Sequence, residues 1–194
     1  MSLRSSALAA LCLALSLTIG CGGEPPEKEM QQAQGALDAA RAAGADVYAT
    51  DEYGAAQTAL THAREAVTQR DYRLALDRAL DSRERAQNAA KMAADGKATA
   101  RTDADRALTA AQAEFDAVDA KLHAAEAAKV PARALAAPTQ TLDTARTALQ
   151  EARAAFDAGT YNGIADRAKA ATASLPAASE AIAAASVPQP RRRR

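Results

Sequence analysis

Thiol and imidazole side chains are the first groups of this 194-residue chain to consider for chemistry. The cysteines are Cys12 and Cys21, and the histidines are His62 and His123. Neither histidine has the His-x-x-x-His or His-Glu spacing of helical zinc motifs, so both are expected on the surface. The sequence also lacks a glycine-rich phosphate loop, a nucleophile elbow and a calcium loop. We therefore predict no catalytic residue, no metal site and no cofactor.

Carboxylates are abundant in one predicted helix: Asp103, Asp105, Glu114, Asp116 and Asp119. Two carboxylates act as an acid–base pair only in a concave, partly desolvated site that separates their pKa values. Slender helices packed through alanine rarely enclose such a site. These residues are therefore interpreted as a solvated helix face.

Cys21 follows an apolar segment, residues 7–19, that is preceded by Arg4. The segment is shorter than the roughly 20 residues that span a bilayer, and its length and flanks are typical of a secretory signal. Its end, Leu17-Thr18-Ile19-Gly20-Cys21, resembles the lipobox of bacterial lipoproteins. We expect residues 1–20 to be a removable signal peptide and Cys21 to become the lipid-bearing first residue. An ordinary secreted protein with an incidental cysteine is the alternative.

Residues 21–28 contain two prolines and no apolar periodicity, which predicts a flexible tether. By resemblance to lipoproteins of double-membrane bacteria, Gly22 in place of aspartate implies sorting to the outer membrane, facing the periplasm. Because Cys12 lies within the signal, acylation of Cys21 would leave no free thiol in the mature chain.

Composition predicts an all-α fold for the remainder of the chain. Hydrophobic residues make up 48% of the sequence, mostly as alanine, whereas aromatic residues make up 3%. Alanine is the strongest helix former, and the residues that favour strands are scarce. Arg4 and the four terminal arginines account for five of the 24 basic residues, so the helical body is mildly acidic. An acidic body argues against nucleic-acid binding, which requires a basic face.

The chain matches itself at a shift of 89 residues. Thr58-Ala59-Leu60 corresponds to residues 147–149, Tyr72 to Tyr161, and Asp77-Arg78-Ala79 to residues 166–168. A duplication of helical units is the simplest explanation of such a match. We predict a first unit over residues 29–98, a second over residues 99–186, and a disordered arginine tail over residues 187–194.

Each copy reads as a helical hairpin with an additional helix. In the first hairpin, one helix presents an apolar stripe at spacings of three and four, and the second begins after residues 69–71 with Asp71 as its N-cap. In the second hairpin, Gly159 is expected in the left-handed conformation that ends a helix, and Thr160 takes the cap position. The stripe comprises Ala56, Ala59, Leu60, Ala63, Ala66 and Val67.

The other helices are placed from periodicity and breakers. A first helix includes Leu37 and closes near Gly44, and Gly96 is expected to break the chain, with a long helix shared by both units as the alternative. Pro131 and Pro138 are predicted to bracket a loop, and Pro176 to end or kink the last helix. A seam with heptad spacing suits a partner helix: Leu108, Ala111, Phe115, Val118, Leu122 and Ala125.

Two sets of charged residues recur or cluster. Arg64 and Asp77 are equidistant from the first turn, as are Arg153 and Asp166 from the second, so we hypothesise an ion pair across each hairpin that sets register. The terminal residues Arg191, Arg192, Arg193 and Arg194 would bind lipid phosphates, lipopolysaccharide or another anion, or form a solvated tail without a ligand.

Residues 55–93, in which Arg70-Asp71-Tyr72 leads into Ala75 and Ala79, resemble a family of uncharacterised alanine-rich envelope lipoproteins of bacteria, whose domain has no known function. The turn is also similar to that of a tetratricopeptide hairpin. The resemblance implies an envelope location and helical hairpins. We expect a non-enzymatic envelope lipoprotein that acts as a structural or interaction module for an unknown envelope protein or the cell wall. A tetratricopeptide-like periplasmic adaptor that binds peptides is the first alternative, and a cell-wall enzyme is the second.

Overall fold

The computed structural model describes residues 23–187, and every regular element among them is a helix. The fold is all-α, as composition predicts. The predicted signal peptide, Cys21 and the four terminal arginines lie outside the described residues. The helices are α1 (Glu27–Ala42), α2 (Ala45–Tyr48), α3 (Thr50–Thr68), α4 (Tyr72–Ala127), α5 (Ala132–Asp157), α6 (Ile164–Thr172) and α7 (Leu175–Ser186).

The described chain divides into two compact units, of which the first ends at Met92 and the second begins at Ala93. The boundary falls inside α4, which is 56 residues long. Gly96 therefore does not break the chain, contrary to expectation, and the long shared helix is the correct alternative. A single glycine costs a helix only about 1 kcal/mol relative to alanine, which its neighbours Ala93, Ala94 and Ala98 readily outweigh.

Three of the turns between helices share the same backbone conformation. After α3, α4 and α5, the chain passes through one residue with positive φ: Arg70 at 59°, Lys129 at 61° and Gly159 at 80°. The next amide donates back to the carbonyl five residues earlier, as in Asp71 N to Ala66 O at 2.9 Å. This is the Schellman ending of a helix, for which glycine is the usual residue. The left-handed conformation predicted at Gly159 is confirmed.

The first unit is packed through alanine. The stripe predicted on α3 is confirmed, because all of its members are buried except Val67, which is half-buried. The N-terminal part of α4 contributes a second seam whose residues are fully buried: Ala75, Ala79, Ser82, Ala86 and Ala89. The Ser82 hydroxyl donates to the Ala56 carbonyl at 2.8 Å, which joins α3 to α4. Tyr72 and Leu76, which lie on the same helix, are half-exposed.

The second unit has a bulkier core. The seam predicted from Leu108 to Ala125 is confirmed, since all six residues are buried. They form one hydrophobic cluster with residues of the three helices that follow, among them Leu142, Ile164 and Leu175. These side chains replace much of the alanine that packs the first unit.

Of the three prolines predicted to interrupt helices, only Pro131 lies between two helices. Pro131 is the N-cap of α5, but Pro138 is buried within that helix, so the predicted loop between them does not exist. The position 89 residues earlier is Ala49, where φ is −144° and the chain changes from α2 to α3. Pro176 ends no helix and instead occupies the first turn of α7, where a missing N–H costs nothing.

The second hairpin turn is longer than the first. Asp71 caps α4 as predicted, since its Oδ1 accepts from the Leu74 amide at 3.0 Å. The Thr160 prediction is wrong, because α6 begins only at Ile164 and its N-cap is Gly163, with φ of 74°. A left-handed glycine cannot belong to the first helical turn, so it delays the helix by three residues.

Candidate interaction surface

An open groove of about 720 Å³ lies between α5 and α6 of the second unit. Five of the α5 residues that line it follow heptad spacing, with alternating steps of four and three residues: Ala137, Thr141, Thr144, Ala148 and Glu151. Its other side is lined by Arg167, Ala170 and Ala171 of α6 and by Ser174, the N-cap of α7. Such spacing presents one continuous ridge to a neighbouring helix.

The polar groups of the α5 wall are largely satisfied within the helix. The Thr141 hydroxyl donates to the Ala137 carbonyl at 3.1 Å, and the Thr144 hydroxyl donates to the Gln140 carbonyl at 2.9 Å. A ligand is therefore not needed to accept from either hydroxyl. The wall combines small side chains with Gln140 and one acidic group, Glu151, and the facing helix contributes one basic group, Arg167.

The corresponding region of the first unit is bridged by side chains. Arg85 Nη1 lies 3.5 Å from Glu52 Oε2, joining α4 to α3 beside the Ser82–Ala56 hydrogen bond. The residues 89 positions later are Thr141 for Glu52, Ala145 for Ala56, Ala171 for Ser82 and Ser174 for Arg85, and all four line the groove. The long ion-paired side chains are thus replaced by short ones where the groove is open. This replacement of long side chains by short ones can be read from the sequence only when the two units are compared at these positions.

The cross-hairpin ion pairs that we hypothesised do not form. Arg64 Nη2 donates to Gln34 Oε1 of α1 at 2.9 Å, and Arg153 Nε lies 3.5 Å from Asp157 on its own helix. Asp77 and Asp166 are exposed. Equal distance from a turn fixes the height of two residues along a hairpin, but it does not fix the face from which each side chain projects.

The titratable groups are distributed over the surface. His62 is exposed, and the carboxylates considered above are exposed except Asp119, which is half-buried. Between Gly23 and Val187 no group of three His, Cys, Asp or Glu residues is arranged to hold a metal ion. No helix in this part of the chain is both long enough and apolar enough to cross a bilayer.

Asp119 is the centre of the most connected charged cluster in the second unit. Its Oδ1 lies 3.3 Å from Arg146 Nη2, and its Oδ2 lies 3.4 Å from His123 Nδ1. His123 Nδ1 also lies 2.9 Å from the Asp119 carbonyl oxygen, to which its N–H donates. This hydrogen bond, followed by the charge of Asp119, raises the pKa of His123 above its ordinary value of 6.5. The stabilisation contributed by the His123–Asp119 pair is present at low pH and is lost as pH rises through the raised pKa of His123.

Replacing Asp119 with asparagine is expected to lower the pKa of His123, because the neighbouring negative charge is removed while the backbone hydrogen bond remains. An NMR titration of the imidazole protons measures this directly. The matched control is Glu126→Gln. The charge of Glu126 raises the pKa of His123 less than that of Asp119 does, so its removal should lower this pKa less. An equal fall in both variants would contradict the assignment.

Tyr53 and Tyr161 each pack against a side chain of their own unit. Tyr53 is buried under the Arg41 guanidinium at 5.8 Å from the ring centroid, and Tyr161 meets Phe156 edge to face at 5.2 Å. None of the four tyrosines is among the residues that line the α5–α6 groove.

Comparisons of the chain with protein-family models, with curated proteins and with solved structures gave no match.

Proposed function

We propose that this protein is a lipid-anchored lipoprotein of the cell envelope, facing the periplasm from the outer membrane, and that it binds a helix of a partner protein in the α5–α6 groove. Acylation at Cys21 supplies the anchor, and the helical body supplies the binding surface. Catalysis forms no part of the proposal, because the groove has a single carboxylate, Glu151, and no histidine.

The observation that carries the proposal is the contrast between the two units. The first unit joins α3 to α4 with the Arg85–Glu52 ion pair, whereas the second has Ser174 and Thr141 at those positions. The short side chains leave alanine exposed in the groove. A partner that buried this alanine would gain about 25 cal/mol of binding free energy per Å² of apolar area.

The geometry of the wall favours a helix as the occupant. Small residues at heptad spacing allow two helix backbones to approach closely, which is the pattern of helix-in-groove recognition. Glu151 and Arg167 line the same groove, so the partner helix should carry small apolar residues on the contacting face, with charges of both signs beside them.

Site-specific photo-crosslinking in intact cells tests the groove. A photoreactive residue at Thr144 should capture a partner protein, whereas the same residue at Ala55, 89 positions earlier in the first unit, should not. Filling the groove with Ala148→Trp should abolish capture at Thr144, and Ala98→Trp, at an exposed position, should not. Equal capture from both sites would overturn the assignment, and an adduct of two copies of this chain would identify self-association instead.

Metabolic labelling with a palmitate analogue tests the anchor separately. The native protein should be labelled, and Cys21→Ala should abolish the label. Label that persists in the Cys21→Ala protein would refute acylation at this residue.

A further inference from the structure

We propose that the α3–α4 turn of the first unit is a membrane-contact surface that lies against the lipid headgroups, an inference that rests on the proposed acylation of Cys21. The turn surface is defined by Met30, Val67, Arg70, Tyr72, Arg73 and Leu74. It sits beside the point where the described chain begins, and this proximity carries the inference.

The start of the described chain is held at this turn. A β-carbon built on Gly23 would lie 3.9 Å from Tyr72 Cδ2, so the backbone passes directly beside that ring. Pro25 lines a cavity of about 410 Å³ together with Met30 and Val67. The Glu27 amide donates to the Pro25 carbonyl at 2.8 Å, and α1 begins at that residue. The tether predicted over residues 21–28 is therefore shorter at its C-terminal end.

Covalent geometry then limits how far the turn can be from the lipid. One residue, Gly22, lies between Cys21 and Gly23, and an extended chain spans at most about 3.6 Å per residue, so the two α-carbons lie within roughly 7 Å of each other. The headgroup layer on each side of a bilayer is about 5–8 Å thick. An acylated Cys21 therefore keeps Gly23, and the Tyr72 ring beside it, at or close to the headgroup layer.

The side chains at the turn match that environment. Tyr72 is half-exposed, and tyrosine is enriched at the level of the headgroups. Leu74 is 38% exposed, and Met30 and Val67 are half-buried around the open cavity. Arg70 and Arg73 are exposed and would meet lipid phosphates. The intervening carboxylate, Asp71, is engaged in capping α4.

Acidic residues near the start of the described chain reduce the expected dependence of the contact on anionic lipid. Glu24 and Glu27 are exposed, and Glu27 lines the cavity. Their charge offsets that of the two arginines, so contact should depend on the apolar side chains and the anchor more than on anionic lipid. Vesicles of phosphatidylcholine alone should therefore give the same contact as vesicles that also contain phosphatidylglycerol.

Tryptophan fluorescence on the acylated, full-length protein tests the contact, since the natural chain has no tryptophan. Leu74→Trp places the probe on the turn surface, and Met92→Trp places it at a 52% exposed position of the same helix. Eighteen residues of α-helix separate the two sites, or about 27 Å. In vesicles whose acyl chains are brominated, Leu74→Trp should shift to the blue and lose most of its emission, while Met92→Trp should keep its emission.

Labelling of the same preparations with the palmitate analogue separates the two proposals. A labelled protein in which the Leu74→Trp emission is not quenched, or in which both probes are quenched equally, overturns the membrane-contact surface and leaves the anchor intact. An unlabelled protein overturns the anchor and this inference with it.

Discussion

Replacing Ala79 with leucine is expected to lower the free energy of unfolding of the first unit by about 3 kcal/mol. Ala79 is fully buried, as are Ala75 and Ser82 one turn away on either side. The Ser82 hydroxyl reaches the Ala56 carbonyl at 2.8 Å, so α3 and α4 approach closely at this level. A leucine side chain has no space there, and the helices would have to separate and break the buried hydrogen bond.

Urea unfolding followed by circular dichroism, with hydrogen exchange of peptides from the first unit, measures the effect. The matched control is Ala98→Leu, which makes the same substitution at an exposed position of the same helix and should change stability by less than about 0.5 kcal/mol. If both variants lost the same stability, close packing through alanine would not be what holds the first unit together.

The stripe on α3 and the seam of the second unit could be predicted from sequence because burial imposes a strict period on a helix. Leu108 through Ala125 follows spacings of three and four, and every predicted seam residue is buried. The same rule identified the stripe on α3. Periodicity reports which face of a helix is covered, and that face is decided by many residues acting together.

Helix ends were predicted less well, because each depends on a small balance of local energies. Gly96 was expected to break a helix, and Pro138 to end a loop, yet both lie within helices. Conversely, Arg70 and Lys129 adopt the left-handed conformation that is usual for glycine. The cost of each exception is roughly 1–3 kcal/mol, which packing of the adjoining helices offsets.

The candidate groove could not be predicted from either unit alone. Its walls are mainly alanine and threonine, which in isolation read as an ordinary helix surface. Only the packing of α5 against α6 shows that Thr141 and Ser174 face one space, and only the first unit shows an ion pair bridging the corresponding space. Which residues face each other across a hairpin is tertiary information, and for the same reason the pairing of Arg64 with Asp77 was wrong.

The second unit should lose most stability when a large side chain of its core is shortened. Replacing Leu142 with alanine is expected to reduce its free energy of unfolding by about 3 kcal/mol, within the range of roughly 2–5 kcal/mol for buried leucines. Leu142 is 1% exposed and belongs to the cluster that includes Ile164 and Leu175. The cluster is built from side chains of four helices, which cannot all move into the space left behind, so a cavity term adds to the lost burial.

Hydrogen exchange of peptides from α5 and α6 should accelerate by roughly a hundredfold, the equivalent of that free energy. Leu80→Ala, at a position that is 45% exposed in the first unit, removes the same atoms from a side chain in contact with water and should change stability by less than about 0.5 kcal/mol. Equal acceleration of exchange in Leu142→Ala and Leu80→Ala would contradict the buried cluster as the source of this stability.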